Sequence, residues 1–130
     1  MNLDQIRATN ALRERQNIER GQEGGDAISG FPATIQNCGL LAALAYAVEQ
    51  KQDRRTNQLV RKHPGEFSIA EAVARHLNHL RIVDAQNADA LVNELAQASA
   101  PKFRRANAEA LAYINYLKRF VVPGHERRRD

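Results

Sequence analysis

The residues of this sequence best suited to catalysis or metal binding are its histidines and its single cysteine. His76 and His79 are three positions apart in the run HLNH, so on a helix both side chains lie on one face, within reach of a common ion. No carboxylate or thiolate stands at a spacing that would complete a metal site. Cys38 lies in an apolar run rather than in the basic, partly exposed setting that activates a thiol, so we expect an inert core residue. The sequence therefore predicts no metal, no cofactor and no catalytic residue, and we expect that the chain is not an enzyme.

Basic side chains are concentrated toward the C-terminus. Residues 101–130 hold 8 Lys/Arg against 3 Asp/Glu, whereas residues 1–100 hold 11 against 12. A basic region of this kind, in a chain of pI near 9.6, suits a surface that binds phosphates, because neutralising phosphates and releasing their counterions supplies most sequence-independent affinity for nucleic acids. A merely solvated basic surface is the alternative.

The last predicted helix carries the most specific form of this pattern. At 100° per residue Lys102, Arg105, Tyr116 and Arg119 fall within one broad stripe, which also contains Glu109. Cations of this kind contact phosphates, and an interleaved tyrosine stacks on a base or a sugar. The alternative is that Tyr116 fills the edge of the helical bundle and the cations are solvated.

The elements that must position these residues are predicted to be helices. Apolar residues recur at helical spacing in five segments. They begin at Leu3, at Pro32 with Ser29 as a possible cap, at Ser68 in a capping-box spacing with Glu71, at Asn87 as a cap, and at Pro101. No run of alternating β-branched residues appears. We therefore predict an all-α fold, a single compact bundle of about five helices that forms one domain over residues 1–130.

Three segments fall outside these helices. Residues 21–30 hold four of the seven glycines and predict a mobile loop. The polar, basic stretch 50–66 is an extended loop or a frayed helix end, and residues 123–130 form a basic tail.

The second predicted helix runs from Pro32 to about Lys51 and includes an apolar stretch at 38–48. With no charged or polar amide side chain over these eleven residues, this stretch must be buried on nearly all sides. Gly39 inside it predicts a close approach of another helix. The stretch is too short to span a bilayer, and the polar start MNLDQIRATN lacks the features of a signal peptide, so we expect a cytoplasmic protein with no membrane contact.

Three segments carry a resemblance to a known family. The start NLDQIRATNALR, the segment FPATIQNCGLLAALAYAVEQK and the ending NAEALAYINYLKRFV occur in this order in a short helical chain. Together they resemble the small subunit of the Cmr complex, the type III-B CRISPR RNA-silencing effector. The strongest elements are the segment from Pro32 to Tyr46 and the segment from Ala110 to Phe120.

The resemblance implies a non-catalytic helical subunit, present in several copies, that packs against the backbone subunits and contacts paired guide and target RNA in antiviral defence. Its partners would be the other Cmr subunits, copies of itself, and both RNAs through their phosphate backbone. The residues predicted from charge and helix phase to bind RNA are Arg105, Lys118, Arg119, Lys51, Arg54, Arg55, Arg61 and Lys62.

Two other functions stay open. A small DNA-binding regulator would need a helix-turn-helix in residues 68–99, whose second helix carries Asp89 and Glu94 and no Lys or Arg, so its charge disfavours that function. A helical adaptor that contacts only protein predicts that mutating the basic residues leaves RNA retention unchanged.

Overall fold

The computed structural model describes residues 1–18 and 27–121 of the chain, and these form six α-helices and one short β-hairpin. The elements in chain order are α1 Leu3–Glu14, α2 Ala27–Cys38, α3 Leu40–Ala47, β1 Gln50–Gln52, β2 Leu59–Arg61, α4 Pro64–His79, α5 Ala88–Ala96 and α6 Ala100–Phe120. A 3-10 turn at Arg15–Asn17 extends α1. The predicted all-α fold with about five helices is confirmed, with the hairpin as a small addition.

Helix α6 is the element against which most of the others pack. It contacts α1, α2, α3 and α4, and alanines such as Ala106 and Ala110 on its buried face let these helices approach closely. Larger apolar side chains fill the remaining core. The fully buried ones include Ile35, Leu40, Leu44, Ile69, Leu77, Leu91, Ile114 and Leu117. The face of α6 that points away from this core is therefore exposed to solvent.

Helix α2 begins earlier than its sequence predicted. It starts at Ala27, so Pro32 lies inside the helix rather than in its first turn, and Ala27 and Ile28 are already buried. The last four residues of the predicted glycine-rich loop 21–30 are thus helical, because Ile28 and Phe31 provide an apolar face that the loop prediction overlooked. Residues 21–26 of that loop and the predicted basic tail 123–130 lie outside the described residues.

The predicted helix from Pro32 to Lys51 is broken in two at Gly39, which adopts φ +90° and ψ 159°. This backbone conformation is essentially restricted to glycine. The side chain of Asn107 on α6 accepts a hydrogen bond from the Leu40 amide at 2.9 Å, which satisfies a donor at the start of α3. Cys38 is the last residue of α2 and is exposed, so the prediction of a buried thiol is wrong. The apolar run does not continue past it as one buried helix.

Gly39 is needed for its backbone conformation and not for close packing. A Cβ added there would meet no heavy atom within 4 Å, so the predicted close helix contact is wrong. We expect Gly39→Ala and Gly39→Leu to lower the free energy of unfolding by a similar amount, about 1–3 kcal/mol. Urea denaturation measures both. A much larger loss of stability in Gly39→Leu than in Gly39→Ala would indicate a steric clash with a neighbouring helix. No loss in either variant would show that the positive φ of Gly39 does not require glycine.

The stretch 50–66 is neither an extended loop nor a frayed helix. Strands β1 and β2 pair antiparallel, with Lys51 opposite Val60, and α4 then begins at Pro64. The predicted capping box at the start of the third helix is therefore absent, since Ser68 lies inside α4 and donates to the Gly65 carbonyl. The Glu71 carboxylate instead accepts from the Ala88 amide at the start of α5. The predicted cap Asn87 is confirmed, because its side chain accepts from the Ala90 amide at 2.8 Å.

Candidate nucleic-acid interface

Helix α6 is the longest helix in the described part of the chain, with 21 residues. Ser99 caps it by accepting from the Lys102 amide, and Pro101 occupies its first turn, where a missing amide donor costs nothing. Its buried face is formed at helical spacing by Ala106, Ala110, Tyr113, Ile114 and Leu117. The opposite face of the helix is exposed to solvent and available for binding.

Four cations occupy the exposed face of α6. Arg104 and Arg105 lie near its start, Lys118 and Arg119 lie in its last turn, and none of them pairs with a carboxylate of the described residues. At 1.5 Å per residue the two pairs are about 21 Å apart, and at 100° per residue each cation of one pair lies within about 40° of its counterpart 14 positions away. We call these four residues the α6 cations. They form an elongated positive surface that can contact several phosphates of one backbone.

The acidic residue of α6 is withdrawn from this surface. Glu109, placed by the sequence in the same stripe as Arg105 and Arg119, is buried, and Arg7 of α1 donates two hydrogen bonds to its carboxylate at 2.7 and 2.8 Å. Lys102 is also unavailable, because its ammonium lies 2.6 Å from the Glu94 carboxylate. The predicted stripe therefore reduces to Arg105 and Arg119, with Tyr116 half-buried beside them.

Arg104 was missed by the sequence reasoning. It lies within about 40° of the predicted cation Lys118 and opposite the buried residues Ala106 and Ala110 when plotted at 100° per residue, and that signal was available. Lys118 and Arg119 also have a structural role, because cations in the last turn of a helix interact favourably with its dipole.

The second predicted set lies on the hairpin. Lys51 is on β1, Arg54 and Arg55 are in the turn, and all three are exposed without an ion pair to a described residue. The Asp53 carboxylate accepts from the Arg55 amide at 2.8 Å, which holds the turn and uses one oxygen of that carboxylate. The hairpin thus presents a basic tip, separate in the chain from the α6 cations.

The other two predicted hairpin cations are already engaged. The Arg61 guanidinium donates to the Asp89 carboxylate at 2.6 Å and to the Val48 carbonyl at 2.8 Å, and it lies 4.0 Å from the centre of the Phe67 ring. It fastens the hairpin to the helices, so a phosphate would have to compete with these contacts. The Lys62 ammonium is 3.8 Å from the Glu49 carboxylate and remains half exposed.

The two histidines that resembled a metal site belong to a polar network beneath α1. Glu109 accepts hydrogen bonds only, so His76 Nε2 carries a proton and donates to it at 2.9 Å. His76 Nδ1 is then an acceptor for the Asn10 amide at 2.9 Å, and His79 Nδ1 accepts from the same amide at 3.0 Å. Tyr113 stacks on the His76 ring with centroids 4.1 Å apart. These contacts orient both histidines toward α1.

Burial and charge shift the pKa values in this network. Burial lowers the pKa of His76, although the hydrogen bond to Glu109 acts to raise it. The lowered pKa keeps the imidazole neutral. For Glu109 burial acts to raise the pKa, but the hydrogen bonds from Arg7 and His76 and the charge of Arg7 outweigh it and hold the pKa below its usual value. Glu14 has a lowered pKa in the same way, through the Arg75 guanidinium at 2.6 Å. The network is thus a structural clamp on α1.

Residues 1–18 and 27–121 contain neither a metal-binding cluster nor a membrane-spanning helix. No group of three or more His, Cys, Asp or Glu side chains there is arranged to hold a metal ion. Within the same residues no helix is long and apolar enough to cross a membrane.

Comparison with known protein families gives a match over most of the chain. A family model described as CRISPR-associated protein (Cas_Cmr5) matches residues 3–123. No curated protein and no solved structure matches the chain.

Proposed function

Because the chain belongs to the Cas_Cmr5 family of CRISPR-associated proteins, small subunits of the Cmr (type III-B) complex, we propose that it is a non-catalytic subunit that contacts RNA through α6. In this proposal the α6 cations contact the phosphate backbone of paired guide and target RNA in the cytoplasm. Cleavage belongs to other subunits. Several copies lie side by side in the complex, so that their basic surfaces form one groove.

The observation that carries the proposal is the separation of charge on α6. Four cations occupy its exposed face while its one carboxylate, Glu109, points inward to Arg7 and His76. A solvated helix surface in a soluble protein commonly alternates charges of both signs, whereas a surface that meets phosphates gains from excluding carboxylates. Contacts of this kind position a nucleic acid without reading its sequence. Base pairing with the guide supplies the sequence recognition.

A second surface suits the contacts with neighbouring Cmr subunits. Residues 27–48, which include α2 and α3, contain no charged side chain. Their exposed positions are small or neutral, among them Ala33, Gln36, Asn37 and Ala42. Protein interfaces are depleted in charge at their centre. This surface is the one we assign to packing against the backbone subunits.

The experiment that tests this function is a native pull-down of the tagged chain, with identification of the co-purified proteins and sequencing of the co-purified RNA. We expect several larger subunits together with guide RNAs that share repeat-derived ends. Recovery of the same subunits from a complex assembled without RNA, and with no RNA crosslinking to this chain, would favour the adaptor that contacts only protein. Recovery of the chain alone, or with DNA, would contradict the proposal.

A further inference from the structure

Arg105 and Glu109 are four positions apart on α6, the spacing at which a cation and a carboxylate pair across one turn of a helix. At 100° per residue they lie about 40° apart around the helix axis. They nevertheless form no ion pair, because both oxygens of Glu109 accept hydrogen bonds from other helices, while Arg105 is exposed to solvent. The cation with a carboxylate one turn away is thus left free.

Two residues of other helices hold Glu109 away from Arg105. Arg7 of α1 donates from Nε and from a terminal nitrogen to the two carboxylate oxygens, at 2.7 and 2.8 Å. His76 of α4 donates to the same carboxylate at 2.9 Å, and only 8% of the Glu109 side chain is exposed. A guanidinium that meets a carboxylate at two points is a stronger partner than an exposed cation of the same helix. Arg7 therefore wins the competition for Glu109.

Helix α1, which carries Arg7, is attached to the bundle largely through polar contacts. Its buried residues are Asn10, Ala11 and Glu14, so an alanine is the only apolar side chain among them. The ion pair between Arg7 and Glu109 joins α1 directly to α6. The orientation of the Glu109 carboxylate consequently depends on α1 being docked.

We propose that Arg7 is a positioning residue for RNA binding, which holds Glu109 so that Arg105 stays free to contact a phosphate. This inference rests on the proposed function and extends it from the exposed face of α6 to α1. Without the Arg7 guanidinium, the carboxylate turns toward solvent, pairs with Arg105 and repels nearby phosphates. Docking of α1 and binding of RNA then favour each other, because coupling between two equilibria is reciprocal.

The test measures how much labelled target RNA, complementary to the guide, the assembled complex retains. Arg7→Gln is expected to weaken retention about three- to tenfold, the effect of one lost charge-assisted contact. Arg7→Gln combined with Glu109→Gln is expected to bind within about twofold of the parent chain, because no carboxylate remains to pair with Arg105. If Arg7 had only a structural role, the second substitution in the same network would add to the loss.

Two further variants control for charge. Arg15→Gln removes the same charge from an exposed position just after α1 and is expected to change retention little. Arg7→Lys keeps a cation beside Glu109 and is expected to retain RNA more strongly than Arg7→Gln. A loss in Arg15→Gln as large as in Arg7→Gln, or equal losses in both variants of Arg7, would reject the positioning role.

A second measurement needs no substitution that weakens the fold. Hydrogen exchange of the α1 amides in the parent complex is expected to slow when target RNA binds, because RNA favours the docked helix. The double variant, in which the carboxylate is absent, should lose this slowing. Exchange of α1 that does not respond to RNA in the parent complex would contradict the coupling.

The remaining outcomes separate this inference from the proposed function. Unchanged retention in Arg7→Gln, or a double variant as weak as the single one, would overturn the role of Arg7. Loss of the folded chain in Arg7→Gln would also overturn it, since the freed carboxylate would then have stayed in the core. The proposed function itself fails only if reversing the charges of Arg105 and Arg119 leaves retention unchanged.

Discussion

Glu109→Ala is expected to destabilise the protein by about 3–5 kcal/mol, a large part of the stability of a domain of this size. The carboxylate is buried and receives hydrogen bonds from Arg7 at 2.7 and 2.8 Å and from His76 at 2.9 Å. Its removal leaves the His76 Nε2 proton without an acceptor in the core and leaves Arg7 with the exposed Asp4 as its ionic partner. Urea denaturation measures the loss.

Asp4→Ala is the matched control, because Asp4 pairs with the same guanidinium at 2.9 Å but is 66% exposed. An exposed ion pair contributes about 0–1 kcal/mol, so this variant should be close to the parent chain. If Glu109→Ala were as mild as Asp4→Ala, the clamp on α1 would contribute little, and the inward orientation of Glu109 would need another explanation.

The effect of Glu109→Ala should also depend on pH. The pKa of Glu109 is lowered in the folded state, so the unfolded chain takes up a proton first as the pH falls. The stabilisation is therefore complete above the unfolded value of about 4.5 and is lost as the pH falls through the folded pKa. The difference in stability between the parent chain and Glu109→Ala should shrink below about pH 4.5.

The helical fold followed from local signals in the sequence. Asn87 before an apolar run and Pro101 at a helix start act within a few residues. Signals that act over so few residues can be recognised without knowing which helices pack together. The break at Gly39 was missed because a single glycine in an apolar run is compatible with either a close contact or a turn.

The hairpin was missed for a related reason. Its strands are only three residues long, and Gln50–Gln52 has no apolar alternation. Arg61 holds the hairpin through Asp89, which is 28 positions away in the chain. A contact between residues so far apart in the chain cannot be predicted from the local sequence pattern.

The candidate site was predictable in part. Arg105, Lys118 and Arg119 are exposed as helix phase required, whereas Lys102 and Glu109 are taken up by partners on other elements. Because α1 and α6 are far apart in sequence, nothing local indicated that Arg7 would bury Glu109. That contact is what withdraws the one carboxylate of α6 itself from the surface of the α6 cations.

Reversal of two of these cations is expected to have the largest functional effect. Arg105→Glu with Arg119→Glu should weaken target-RNA binding by the assembled complex about ten- to a hundredfold, because each position loses a charge-assisted contact and gains repulsion. Both side chains are exposed and lack an ion pair to a described residue, so the fold should be unaffected. Circular dichroism and recovery of the complex check this.

The matched control reverses two exposed arginines elsewhere, Arg15→Glu with Arg81→Glu, which changes the net charge equally. If binding depended only on total charge, the two double variants would weaken it alike. A specific α6 surface predicts a small effect in the control.

The most direct measurement is the target RNA retained by the assembled complex over a series of salt concentrations, with the parent chain and both double variants. Our account predicts that Arg105→Glu with Arg119→Glu lowers retention and reduces the slope of log affinity against log salt by about one to two, while the control keeps the parent slope. Unchanged retention and slope in the α6 variant would contradict the claim that this helix contacts RNA.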